Sequence, residues 1–136
     1  MDCIPHNIIM NIEPEQTALR QGISAYDDHQ VVIADRTYRH SLIAIPGMTP
    51  VYWPVTSFDT LTINDLTALK TWQPDIVILG TGQHTRQLPA DWIFTLLEHG
   101  IIIECMNNRA ACGTCNILLA EGRNVLLALI MDEINP

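Results

Sequence analysis

Three apolar runs in the second half of the chain constrain its fold more than any other feature. They are "DIVIL" (75–79), "IIIECM" (101–106) and "NVLLALIM" (124–131). Each is too short to be a helix of the usual length and too continuously apolar to have one wet face. Such runs are expected of strands covered on both sides. The segments between them have helical rhythm. "PADWIFTLLEHG" (89–100) opens on Pro89 and closes on Gly100, the punctuation of a helix. "NNRAACGTCNILLAEG" (107–122) has an asparagine at its start for a cap and Gly122 at its end. Strand alternating with helix implies a parallel or mostly parallel sheet joined by crossovers.

The upstream half has a different rhythm. "TINDLTALKTW" (62–72) places Ile63, Leu66, Leu69 and Trp72 at intervals of three, the apolar stripe of an amphipathic helix. Thr62 followed by Asp65 has the spacing of a capping box. "VVIAD" (31–35), "TYRHSLIAI" (37–45) and "VYWPV" (51–55) are expected as short strands, and Pro46, Gly47 and Pro50 end the second of them. Residues 1–22 are polar, contain Pro5 and Pro14, and are expected to form a loose arm, with 17–21 extended, ahead of a single α/β domain over 23–136. At 136 residues the chain is long enough to bury a proper core.

Charge and segment lengths narrow the function. The formal net charge is −8, which repels nucleic-acid phosphates and anionic membrane surfaces alike. The run Val125 to Met131 is too short to span a bilayer as a helix, and the N-terminus lacks the basic and apolar regions of a signal peptide. Four cysteines (3, 105, 112, 115) without a secretion signal then read as reduced thiols in a cytoplasmic protein.

Two strings carry chemical interest. "GTGQHT" follows a buried strand, where dinucleotide folds hold a phosphate. Thr85 nevertheless stands where the third glycine of G-x-G-x-x-G belongs, and the next helix starts several residues later. No G-x-x-x-x-G-K-[ST] motif exists; the one lysine of the chain is Lys70. Tight-turn glycines are the favoured reading. The loop still lies at the carboxyl end of a strand, where open α/β sheets place their ligands, so Gly80, Thr81 and Gly82 are the candidate pocket residues. The five histidines (6, 29, 40, 84, 99) show no ligand spacing, and no metal or cofactor is expected; His84 and Arg86 share the loop after Gly82.

The second string is the pair Cys112 and Cys115. Three apart on a helix, they share one face. A redox centre needs a thiolate near a helix N-terminus, and a zinc site needs a second ligand pair. If Asn108 is the cap, Cys112 is the fourth helical residue and gains little from the helix N-terminus, whereas a helix beginning at Gly113 would activate it; Cys105 and His99 make no second ligand pair. Packing is the favoured reading.

"PDIVILGTG", then "LP", then a helix, then "GIIIECMNNRAACGTCNILLAEGRNVLLALI" resembles a family of small α/β domains of largely undetermined function. That family includes the mitochondrial respiratory complex I (NADH dehydrogenase) assembly factor. The resemblance covers residues 23–131 and rests on Gly80, Thr81 and Gly82 together with Ala110, Ala111, Thr114, Asn116, Glu121, Gly122 and Arg123. It implies a three-layer α/β fold: a central mixed, mostly parallel sheet flanked by helices, with additional antiparallel strands from the N-terminal half. It implies no established catalysis. At the place of Gly113 the family usually has arginine, and at the place of Cys115 an aromatic residue, so the Cys-x-x-Cys spacing is not a family feature.

Three readings of function follow. The first and preferred is a non-catalytic binding or assembly-accessory protein with a protein partner, possible respiratory complex subunits among them, an exposed patch around Tyr52 and Trp53, and a monomeric or homodimeric state. The second is a small-molecule binder or enzyme using the crevice at Gly80, Thr81 and Gly82 with Thr114 and Asn116. The third is a thiol redox protein through Cys112 and Cys115.

Overall fold

A computed structural model describes residues 22–132, residue 28 excepted. The arm expected over 1–22 lies outside the described residues apart from Gly22, as does Cys3. The described chain forms eight strands and three α-helices. Strands β1 (Ile23–Asp27), β2 (Gln30–Ile33) and β3 (Arg36–Tyr38) make an antiparallel sheet. The β2–β3 turn is carried by Ala34 and Asp35, both at positive φ (50° and 67°), the geometry that matches the twist of a hairpin.

The larger sheet contains β4 (Leu42–Ala44), β5 (Val51–Tyr52), β6 (Ile76–Gly80), β7 (Ile103–Met106) and β8 (Val125–Leu129), in the order β5-β4-β8-β6-β7. It is mixed, as expected: β6 runs parallel to both β7 and β8, while β4 runs antiparallel to β8 and β5. Between its strands lie α1 (Ile63–Thr67), α2 (Ala90–Glu98) and α3 (Asn108–Ala120).

The inner strands β4, β6 and β8 are covered on both faces and are apolar at every position. The run 101–106, expected as another buried strand, instead gives the edge strand β7, with Glu104 exposed and Ile103, Cys105 and Met106 half-buried, because no strand lies beyond it among the described residues. Odd and even residues part to opposite sides, as the pleat requires. Val125, Leu127, Leu129 and Ile78 join Ala111, Cys112 and Cys115 of α3 and Ile23, Val31 and Ile33 of the small sheet. Leu126, Ala128, Ile130, Val77 and Leu79 join Leu66, Leu69, Leu88 and Leu96 on the other side. The helix α3 and the three-stranded sheet therefore share one face; α1 and α2 cover the other.

Other sequence expectations change in detail as well. The run 37–45 is two strands in two sheets. Between them Ser41 is buried and its hydroxyl donates to the Val55 carbonyl (2.5 Å) and accepts from the Met131 N–H (2.8 Å), which ends one strand and seats the next. The segment 62–72 begins as α1 with the expected capping box: Asp65 N–H on Thr62 Oγ1 (3.2 Å) and Thr62 N–H on Asp65 Oδ2 (2.8 Å). It then tightens to a 3-10 helix over Ala68–Trp72. A stripe spaced by three suits that helix, which has three residues per turn. Gln73, at φ 49°, ends it ahead of Pro74. Trp53, expected in an exposed patch with Tyr52, is only 5% exposed and packs into the core, while Tyr52 on the edge strand stays open.

Candidate functional site

The carboxyl ends of β6 and β8 meet at the point where strand order reverses. From β6 the chain crosses by α2 to β7 on one side; from β7 it crosses by α3 back over β6 to β8 on the other. Open α/β sheets place ligands in the crevice at such a point. Here the loop "GTGQHT" occupies it, and its glycines have specific causes.

Asn108 is the central residue. The N-cap of α3 is Asn107, not Asn108: Asn107 Oδ1 accepts the Ala110 N–H at 2.8 Å. Freed from capping, Asn108 turns inward and is 2% exposed. Its Oδ1 accepts the Gly82 N–H (3.0 Å), its Nδ2 donates to the Ile130 carbonyl (2.8 Å), and its own N–H donates to the Gly82 carbonyl (2.8 Å). One side chain thus ties the end of β6 to the end of β8. A Cβ at position 80 would collide with Asn108 Oδ1 and lie 2.6 Å from Leu129 Cδ2, so Gly80 exists to let this carboxamide in. Gly82, at φ 104°, makes the turn that presents its N–H. The Gly82 N–H is therefore already taken by Asn108.

Thr81 organises the rest of the loop. Its hydroxyl donates to the His84 carbonyl (2.6 Å) and accepts the Arg86 N–H (3.1 Å), while its N–H donates to the Met106 carbonyl (2.9 Å). Thr85 Oγ1 accepts the Asn107 N–H (3.0 Å). Outside this knot lies a cleft of about 150 Å³ lined by Ser57, Asp59, Thr81, His84, Arg86 and Asp132, among others. Within the lining Arg86 pairs with Asp59 at 2.8 Å and its guanidinium stands 4.6 Å from the Phe58 ring centre. Both partners of the ion pair are solvent-accessible, so the pair contributes at most about 1 kcal/mol.

The structure brings Gly80, Thr81 and Gly82 together with Asn108, one of the two asparagines that the sequence offered as a cap. It does not bring Thr114 or Asn116 to this cleft. Asn116 lies two turns further along α3 and clasps β1: its Oδ1 accepts the Ile23 N–H (2.8 Å) and its Nδ2 donates to the Ile23 carbonyl (3.1 Å). Thr114 is half-buried on the same helix. The doubled asparagine at 107 and 108 was the only available signal for the latch.

The cysteine pair is buried. Cys112 and Cys115 are both free thiols inside the cluster beneath the small sheet, and burial pushes each up to about 12. A thiol held neutral is neither a nucleophile nor a ready metal ligand. Cys105, half-buried on β7, is also raised, chiefly by desolvation. Among the described residues no group of three or more His, Cys, Asp or Glu is placed to hold a metal ion. None of their helices is long and apolar enough to cross a membrane.

On the opposite face of the sheet, α2 is only half used. Leu96 is fully buried, whereas Phe94 is 72% and Leu97 54% exposed. With Leu88, Ala90 and Ile93 they line a shallow apolar groove of about 420 Å³.

These features define a small three-layer α/β fold with a latched strand-end crevice on one side and an apolar groove on the other. The chain belongs to the family described as protein of unknown function DUF498/DUF598, whose model matches residues 23–130. Bovine NADH dehydrogenase (ubiquinone) 1 alpha subcomplex assembly factor 3 is 33% identical over 117 residues, 85% of this chain and 63% of the bovine one. Matches to the zebrafish and rat proteins of that name span 46% and 48% of those relatives, so the chain covers about half their length. Among solved structures, a Xanthomonas campestris protein is 30% identical with a TM-score of 0.77, covering 93% of this chain and 95% of that one. A Bordetella parapertussis protein is 30% identical with a TM-score of 0.76, covering 82% and 95%. An outer membrane protein of Bartonella henselae is 31% identical with a TM-score of 0.68, covering 82% and 94%.

Proposed function

We propose that the protein is a non-catalytic assembly-accessory factor that binds a protein partner, a subunit of a respiratory NADH dehydrogenase, from the cytoplasmic side. The observation that carries the reading is the apolar groove on α2. A helix in a well-covered α/β fold buries its large apolar side chains, and Phe94 and Leu97 at this exposure are unaccounted for by the core of the described residues. The similarity to relatives named as NADH dehydrogenase assembly factors supports the choice of partner. The test is affinity purification of the tagged chain from its own organism, with NADH dehydrogenase subunits quantified by mass spectrometry. Wild type should enrich them and Phe94→Glu should not; a wild type that enriches none of them overturns the reading.

A second reading, a small-molecule binder, is favoured by the cleft at the strand-order reversal. Its polar lining of Ser57, Asp59, His84 and Asp132 beside Arg86 suits a small polar ligand. Thermal-shift screening of wild type against Thr81→Val and Arg86→Ala tests it: a polar metabolite that stabilises only wild type supports it, and no hit removes it.

A further inference from the structure

The apolar groove on α2 is bordered by carboxylates along its Phe94 side. Ala90, Ile93, Phe94 and Leu97 follow the i, i+3, i+4, i+7 pattern of one helix face. Asp91 and Glu98, seven residues apart, fall on the neighbouring stripe beside Phe94, about 10 Å apart along the helix. Both are exposed, and neither carboxylate makes an ion pair among the described residues.

That border discriminates between occupants. The stripe is nearly symmetric about the midpoint of Ile93 and Phe94, with small Ala90 opposite Leu97, so its shape would suit an antiparallel second copy. The charge would not: such a pairing sets Asp91 beside Glu98 of the copy, twice over, on the same edge. Like charges so placed oppose association. An anionic lipid surface meets the same obstacle, reinforced by the net charge of −8.

We infer that the occupant of the α2 groove is an amphipathic helix of another protein, bearing an apolar stripe bordered by Lys or Arg that meet Asp91 and Glu98. This rests on the protein-partner reading above and specifies the chemistry of the partner. The apolar stripe supplies affinity by filling the space beside Ala90 and between Phe94 and Leu97; the carboxylates set orientation and exclude a second copy.

The test uses two synthetic helical peptides with the same leucine stripe, one bordered by Lys and the other by Glu, each fluorescently labelled and titrated with the full chain. The Lys peptide should bind about ten-fold more tightly than the Glu peptide, and added salt should narrow that gap. The double variant Asp91→Lys/Glu98→Lys should reverse the ranking. Phe94→Glu, and separately Leu97→Glu, should abolish binding of the Lys peptide while circular dichroism and thermal unfolding stay as in wild type. Equal binding of the two peptides, or binding of neither, overturns the inference. A wild type that sediments as a dimer and becomes monomeric as Phe94→Glu overturns it in favour of a second copy. Co-sedimentation with phosphatidylcholine vesicles that Phe94→Glu abolishes overturns it in favour of a lipid surface. The titration uses this chain alone, so it can fail while enrichment of NADH dehydrogenase subunits succeeds, and the reverse.

Discussion

Helix α3 turns Asn108, Ala111, Cys112 and Cys115 into the molecule and buries all four, and Asn116 holds β1 through both its carboxamide atoms. Helix α2, on the other face of the same sheet, buries only Leu96 and leaves Phe94 and Leu97 in water. The two helices thus invert the usual assignment of side chains, with amides and thiols inside and an aromatic and a leucine outside. The physical difference lies in what covers them. The three-stranded sheet lies beside α3 and seals its second side, and both carboxamides find backbone partners, Asn116 at Ile23 of that sheet and Asn108 at Gly82 and Ile130. Nothing in the described residues covers α2 in this way.

The sharpest way to break this comparison is thiol reactivity. In a Cys3→Ser/Cys105→Ser background, Cys112 and Cys115 should react with a disulfide reagent at pH 8 about a thousand-fold more slowly in the folded state than in urea, since burial moves them from the ordinary thiol range to about 12. The sign of the linked stability follows. The folded state retains protons that the unfolded state releases, so the stabilisation is complete below the ordinary thiol range and is lost as pH rises through it toward 12. Fast labelling of the native protein would mean that α3 is not sealed.

Next in size is the latch. Asn108→Ala strands the Gly82 N–H and the Ile130 carbonyl in a buried site and should cost about 3 kcal/mol in urea unfolding. Gly80→Ala should cost a similar amount by steric collision with the same carboxamide, and the two losses should not add. If Asn108→Ala unfolds like wild type, the crevice is not held by this residue. Asn116→Ala removes two half-buried bonds to Ile23 and should cost about 1–2 kcal/mol, with faster amide exchange confined to β1 and β2 as its signature.

The smaller effects test exposed positions on the two helices. Gly113 lies mid-helix in α3 with open space where a Cβ would be, so Gly113→Ala should stabilise by about 0.5–1 kcal/mol through helix propensity alone. Phe94→Glu on α2 should change stability by no more than about 0.5 kcal/mol, because the ring it removes is mostly in solvent. A large loss from Phe94→Glu would make α2 a structural helix like α3 and remove the contrast.

Much of the scaffold was legible in the sequence. The apolar runs of β6 and β8 announced strands covered on both faces, though the third run proved to be the half-buried edge strand β7, and the Thr62–Asp65 box and the Pro89 and Gly100 boundaries marked helix ends, because caps depend on a few adjacent residues. The crevice was legible only as a location. Its glycines read as turn residues, yet Gly80 is there because a side chain 28 positions later needs the space. The latch was hidden because Asn107 and Asn108 are chemically identical neighbours. Either could cap, and the choice depends on where β7 delivers the chain relative to Gly82. The break in 37–45 was hidden for a related reason: Ser41 ends a strand by bonding Val55 and Met131, both remote in sequence.

By itself the sequence determined the alternation of strands and helices and the apolar character of both sheet faces, since these follow from periodicity and from contacts within a few residues. Only the tertiary structure decided what the chemical-looking residues do. Cys112 and Cys115 became core residues once β1, β2 and β3 closed over them, and the Gly80-Thr81-Gly82 loop became a latch once Asn108 reached it. Phe94 became a surface residue because no strand or helix of the described chain packs there. Reactivity and exposure depend on what is brought near from elsewhere in the chain, and local sequence carries no record of that.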